Sequence, residues 1–155
     1  MKVHEIMTTA VECCLPSDNA RKAAEFMREA DAGVVPVIAA QDDPRVIGIV
    51  TDRDLCMDVV AAGRHPNDVR VESCMTRQVV LCHPDDEVER AADLMAEKQI
   101  RRIPVVDDKN GILGIVALSD VARSSRRSAD IGEALHDISE PTPEPSLPRG
   151  NDRVK

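Results

Sequence analysis

Gly48-Ile49-Val50-Thr51-Asp52-Arg53-Asp54 carries an apolar run to a hydroxyl and, one turn later, to an acid; Gly114-Ile115-Val116-Ala117-Leu118-Ser119-Asp120 repeats the pattern 66 residues on. Each stretch reads as a buried strand that turns directly into a helix. Branched apolar residues close the strand. Thr51 stands where a helix N-cap belongs, and an acid in the first turn suits the helix dipole. In the second stretch Ala117 replaces the hydroxyl.

Working outward, the duplication continues. Met7-Thr8 recurs as Met75-Thr76, an offset of 68. At that offset Val11 matches Val79, Cys14 matches Cys82, Pro16 matches Pro84, Asp18 matches Asp86, Met27 matches Met95, and Pro36-Val37 matches Pro104-Val105. The offset falls to 66 after a loop that is two residues shorter in the second copy. Self-similarity of this kind marks a duplicated structural unit.

Each copy predicts the same elements. A short strand comes first, near Val11–Cys14 and Val79–Cys82. A helix follows, with Ala20, Ala23, Ala24 and Met27, or Val88, Ala91, Ala92 and Met95, on one face. Two apolar strands come next, Val34–Ile38 with Val46–Val50 and Ile103–Val106 with Ile112–Val116. Asn110-Gly111 is a hairpin signal between the second pair. A closing helix starts near Asp52 and stops at Gly63; its counterpart starts near Leu118. The unit is β-α-β-β-α, marginal alone at its size. The expected fold is α/β (α+β): two such repeats related by a pseudo-two-fold axis, sheets packed together and helices outside. Residues 1–63 form the first repeat, 64–70 a linker and 71–127 the second repeat. Residues 128–155 are expected to hold a short amphipathic helix over 130–139 and, from Pro141, a Pro-rich disordered tail.

Composition narrows the rest. With 43% hydrophobic residues but one Phe and no Tyr or Trp, the core must be built from small and branched side chains. A net charge of −8 argues against broad binding to nucleic acid or anionic lipid. No apolar run reaches membrane-spanning length. His4, Glu5 and Glu12 break up the start of the chain, so no signal peptide and a cytoplasmic location are expected. The five cysteines include no Cys-x-x-Cys pair, which fits reduced thiols. Cys82 and His83 are neighbours on a strand and point to opposite faces; His4, His65 and His136 lie in separate segments, so no metal site is expected. Cys14 and Cys82 occupy equivalent positions and are expected in the core, with a redox role for Cys13 or Cys14 as an alternative. Nucleophile triads, P-loops and dinucleotide fingerprints do not occur, so no enzymatic activity is expected.

The order of motifs resembles a tandem pair of CBS (cystathionine β-synthase) domains, a Bateman module of the stand-alone bacterial type, over roughly residues 3–123. Met7-Thr8 and Met75-Thr76 open the units. Val34-Val35-Pro36-Val37 and Arg101-Arg102-Ile103-Pro104-Val105 are the middle strands. The Gly48–Asp54 stretch matches the family's Gly-h-h-Thr/Ser-x-x-Asp/Asn signature in full, and Gly114–Asp120 departs from it at Ala117. The resemblance implies a flat homodimer and clefts between repeats that bind AMP, ADP, ATP, NAD or S-adenosylmethionine, with no required cofactor.

The residues permit that chemistry and also plainer readings. Gly48 makes room for a ligand or for another backbone. Thr51 can meet a phosphate or only cap its helix. Asp54, and Asp120 in the second copy, can accept hydrogen bonds from ribose hydroxyls or only complement a helix dipole. Val34, Val35, Pro36, Ile103 and Pro104 offer apolar walls for a base. Arg53, Arg101 and Arg102 can pair with phosphates, or the last two can be a solvated strand start. The Thr51–Asp54 cleft is expected to bind more tightly than the Ala117–Asp120 cleft, unless Arg101 and Arg102 compensate in the latter. The leading function is a non-catalytic nucleotide sensor that signals by conformational change. The alternative is a ligand-independent dimerisation and protein-interaction module, with Leu55, Val59, Val60 and Val121 as candidate interface residues.

Overall fold

Asn19 opens the first long helix. Its side chain accepts the N–H of Lys22 at 2.9 Å, satisfying a donor the helix cannot. Helix α1 then runs Ala20–Glu29 and buries Ala20, Ala23 and Met27. Helix α3, Val88–Lys98, buries Val88, Ala91 and Met95 at equivalent positions. Alanine on both faces lets each helix lie close to its hairpin. These elements come from a computed structural model that describes residues 1–124. The expected helix over 130–139 and the Pro-rich tail lie outside the described residues.

Each helix leads into an antiparallel hairpin. Strand β1 (Val34–Ala40) pairs with β2 (Asp43–Thr51), and β3 (Arg102–Val106) with β4 (Ile112–Ala117). The second turn uses the predicted signal: Asn110 takes φ +63°, and the Asp107 carboxylate accepts the N–H groups of Lys109 and Gly111, each at 2.8 Å. After β2, helix α2 (Asp52–Leu55) widens into a π-helical turn, Cys56–Val60. It stops as expected at Gly63, whose φ is +66°, with the Arg64 N–H reaching back to the Val59 carbonyl at 2.9 Å. Helix α4 spans Leu118–Ser124.

The expected first strands are a correction. Each reduces to a single parallel bridge, Cys14 with Val37 and Cys82 with Val105. Two residues on, Pro16 and Pro84 bring no N–H to extend a ladder. Asp18 and Asp86 instead draw the N–H groups of Leu15 and His83 into turns, each at 2.8 Å.

The two repeats exchange their opening segments. A 3-10 turn at Val3–Glu5 docks on the second repeat, and its counterpart Val71–Ser73 docks on the first. The Val3 N–H donates to the Asp86 carbonyl at 2.9 Å and the His4 N–H to Pro84 at 3.0 Å; Val71 and Glu72 do the same to Asp18 and Pro16, at 2.8 and 3.0 Å. Val3 is thereby buried among Cys82, Val88, Met95 and Ile103. Val69, Val71 and Cys74 are buried among Cys14, Ala23, Val37 and Val50. Each apolar core is completed by residues from the other repeat's end of the chain.

Candidate functional site

The exchange also builds the clefts. Leaving its 3-10 turn, Met75-Thr76 crosses β2: the Ile49 N–H donates to the Thr76 carbonyl at 2.9 Å, and the Thr76 N–H to Ile49 at 2.8 Å. Thr8 pairs with Ile115 in the same way, both bonds 2.9 Å. A Cβ on Gly48 would meet Met75 Sδ at 2.7 Å and the Thr76 carbonyl at 3.2 Å; one on Gly114 would meet the Thr8 carbonyl at 2.7 Å and Met7 Sδ at 3.0 Å. Of the two readings of the signature glycine, the crossing backbone is the one the packing supports.

Beyond each crossing lies a cleft with walls from both repeats. The larger, of about 670 Å³, is bordered by Val34, Thr51, Arg53, Arg101, Arg102 and Pro104 among others. The smaller, of about 190 Å³, is bordered by Val34, Val35, Phe26, Glu12, Asp31 and Arg102 among others. Arg101 borders the larger cleft and Arg102 borders both, so of the two arginines considered for the Ala117–Asp120 side only Arg102 reaches the cleft next to it. Across β1 and β2 the register sets Val34 opposite Thr51, and the second repeat's middle strand begins across the cleft from them. Arg101 joins Thr51 and Arg53, while Arg102 borders both clefts.

Two expected wall residues turn elsewhere. Ile103 is buried in the second core beside Met95, because alternation along β3 sends it away from the face that Arg102 shows. Pro36 borders neither cleft. Asp54, Ala117 and Asp120 are not among the residues bordering either cleft. Phe26, which the sequence reading did not single out, borders the smaller cleft.

Thr51 and Asp54 form a reciprocal cap. The Asp54 N–H donates to Thr51 Oγ1 at 3.1 Å, and the Thr51 N–H donates to Asp54 Oδ2 at 2.9 Å. The Thr51 hydroxyl keeps its own proton for donation, and Asp54 Oδ1 has no partner among the described residues. The second copy keeps half of this arrangement. The Ala117 N–H donates to Asp120 Oδ2 at 2.8 Å. The other oxygen, Oδ1, accepts from the Arg123 guanidinium, so Asp120 has less capacity left for a ribose.

Cys13, Cys14 and Cys82 are held as thiols. Burial, reinforced by Asp18, pushes Cys14 up to about 12; burial and Asp86 push Cys82 up to about 12; burial and Glu12 push Cys13 up to about 11. Thiolate is the reactive form, so these environments oppose redox chemistry at neutral pH. Among the described residues, no group of three or more His, Cys, Asp or Glu is placed to hold a metal ion. No helix there is long and apolar enough to cross a membrane.

Comparison with known proteins finds the family model described as CBS domain matching residues 3–60 and 71–127. The chain is similar to the protein YlbB of Bacillus subtilis, 38% identical over 139 residues, which cover 90% of this chain and 92% of that one. The fold is similar to a crystal structure of Hypoxic Response Protein I with two coordinated zinc ions, at TM-score 0.71 and 30% identity, covering 81% of this chain and 99% of that one. It is also similar to the CBS domain pair of protein MJ0100 in complex with 5'-methylthioadenosine and S-adenosyl-L-methionine, at TM-score 0.70 and 25% identity, covering 79% and 94%.

Proposed function

Because this chain belongs to the CBS-domain family, with two copies making up most of its length, we propose that it is a non-catalytic regulatory module that binds an adenosine-containing ligand between its repeats. One observation carries the reading: the larger cleft gathers Thr51, Arg53, Arg101 and Arg102 from both repeats around about 670 Å³. That volume lies within the range of small-ligand sites. The arginines suit phosphate oxygens, Val34 and Pro104 offer apolar contact to a base, and Asp54 stands behind that wall and holds Thr51 in place. The adenosine ligands of the MJ0100 domain pair support the ligand class. Since the walls come from both repeats, a ligand preferring one inter-repeat angle shifts the population toward it, which is the means of signalling.

A melting-temperature panel of AMP, ADP, ATP, NAD and S-adenosylmethionine tests the reading. A ligand held only by the native state adds about 2.7 kcal/mol of stability when its free concentration is about 100 times Kd, a rise of several degrees. Failure of all five to move the melting temperature sinks it.

Partnering is a second part of the reading, supported by exposed apolar side chains. Of the four expected interface residues, Val59 and Val121 are buried in the two cores and Leu55 packs against the first. Val60, 74% exposed, and Met57, 55% exposed, instead present apolar surface on the π-helical turn after α2. A cytoplasmic homodimer using this surface is the expected assembly. Light scattering that finds a monomer at micromolar protein would remove it.

A further inference from the structure

The two clefts are one site met twice, and their charges are opposite. Thr76, Gln78, Val79 and Val80 on the larger are the repeat equivalents of Thr8, Ala10, Val11 and Glu12 on the smaller. Val80 and Gln99 of the larger correspond to Glu12 and Asp31 of the smaller. Arg53 and Arg101 of the larger correspond to Ser119 and Gly33. Among the described residues the larger cleft is thus faced by three arginines and one carboxylate, Asp52, and the smaller by two carboxylates and one arginine, the shared Arg102. Among the described residues none of the three arginines is held in an ion pair, whereas Asp52 already accepts the Arg53 N–H at 2.8 Å. The chain's one aromatic residue, Phe26, is on the smaller cleft, where the other copy has Leu94.

Building on the reading of these clefts as adenosine sites, we propose that they are divided by ligand charge. The larger takes a phosphorylated adenosine. The smaller takes only an adenosine that carries no phosphate, uncharged or cationic. In a partly enclosed cleft, water screens charge poorly, so Glu12 and Asp31 repel a phosphate that Arg53 and Arg101 would attract. The volumes point the same way: at about 190 Å³ against about 670 Å³ the smaller cleft has the less room for a phosphate. Phe26 supplies a flat face for the base.

Calorimetry on the full chain with AMP and with adenosine, at low and raised salt, tests the division. AMP should bind once per chain with an affinity that falls as salt rises, and adenosine should still bind after AMP has saturated its site. Arg53→Ser with Arg101→Gly, which installs the repeat-equivalent residues, should weaken AMP about ten-fold or more. That pair should leave adenosine binding to AMP-saturated protein unchanged. Glu12→Val with Asp31→Gln should create a second AMP site. All four positions are on the surface, and an unchanged melting temperature confirms that each variant folds. Two AMP sites in the natural chain, adenosine fully displaced by AMP, or an AMP affinity indifferent to the arginine pair would overturn the division while leaving adenosine binding intact. If neither AMP nor adenosine binds, the division falls together with the reading beneath it.

Discussion

The Thr8 carbonyl lies 2.7 Å from where a Cβ on Gly114 would stand. At the equivalent place in the first repeat, the nearest obstacle to a Cβ on Gly48 is the Met75 sulfur, and the Thr76 carbonyl is farther, at 3.2 Å. A thioether can swing aside, whereas the carbonyl of a residue held by two strand-like hydrogen bonds cannot.

Gly114→Ala is therefore expected to cost about 1–3 kcal/mol, the usual penalty of overpacking. Gly48→Ala should cost less, because alanine also restricts the unfolded chain by about 0.4–1 kcal/mol. Urea unfolding of the two variants side by side measures the difference; equal losses would show that the Met75 side chain is as immovable as the backbone.

Val3→Ala is expected to cost about 2 kcal/mol, from two buried methyl groups and the space they leave. The loss should appear in the second repeat. Amide exchange should speed up in α3, β3 and β4 before α1, β1 and β2. Val71→Ala should give the reverse pattern. Exchange rising first in the repeat that carries the mutated residue in its own sequence would contradict the exchange of opening segments.

Ala117→Thr should stabilise the chain by about 0.5–1.5 kcal/mol without any ligand. It supplies the missing hydroxyl opposite Asp120, whose carboxylate already accepts the residue-117 N–H, and so completes a reciprocal cap. The strand position suits a branched residue. An unchanged denaturation midpoint would mean that Arg123 holds Asp120 too firmly for the cap to close.

The thiols set a stability limit on the alkaline side. Cys14 and Cys82 titrate near 12 in the folded chain, against about 8.5 when unfolded. Between those values the unfolded chain has lost protons that the folded chain keeps, so stability falls as pH rises. It should be insensitive to these groups below about pH 8 and decline from about pH 9 to 12. Cys14→Ala with Cys82→Ala should make that decline shallower, whatever it does to stability at neutral pH. A parallel decline in both proteins would assign the effect to other groups.

Much of this architecture was legible because local signals agreed. Gly48–Asp54 marks strand, turn and cap in consecutive residues, Asn110-Gly111 marks a hairpin, and the alanines of α1 and α3 mark faces that touch a sheet. What was hidden depends on partners far along the chain. Val3 and Val71 read alike in sequence, and nothing near either says that its pocket is in the other repeat. For the same reason Arg101 could be assigned to a repeat but not to a cleft, since each cleft takes walls from both. Val59 was misjudged for a local reason. The π-helical turn at Cys56–Val60 departs from the regular period, so Val59 faces inward and Val60 outward.

The exchange of opening segments sets an order of events during synthesis. Val3 leaves the ribosome well before the residues that line its pocket, Cys82, Ile103, Val116 and Val121. At about 5–20 residues per second, that pocket is not complete until roughly 6–24 s later. Until then an apolar valine and the Met7-Thr8 segment have nowhere to go. Vectorial growth can therefore close the first core, whose residues run from Cys14 to Cys74, before the second exists, while Val3 and the segment behind it wait for the second repeat to be made.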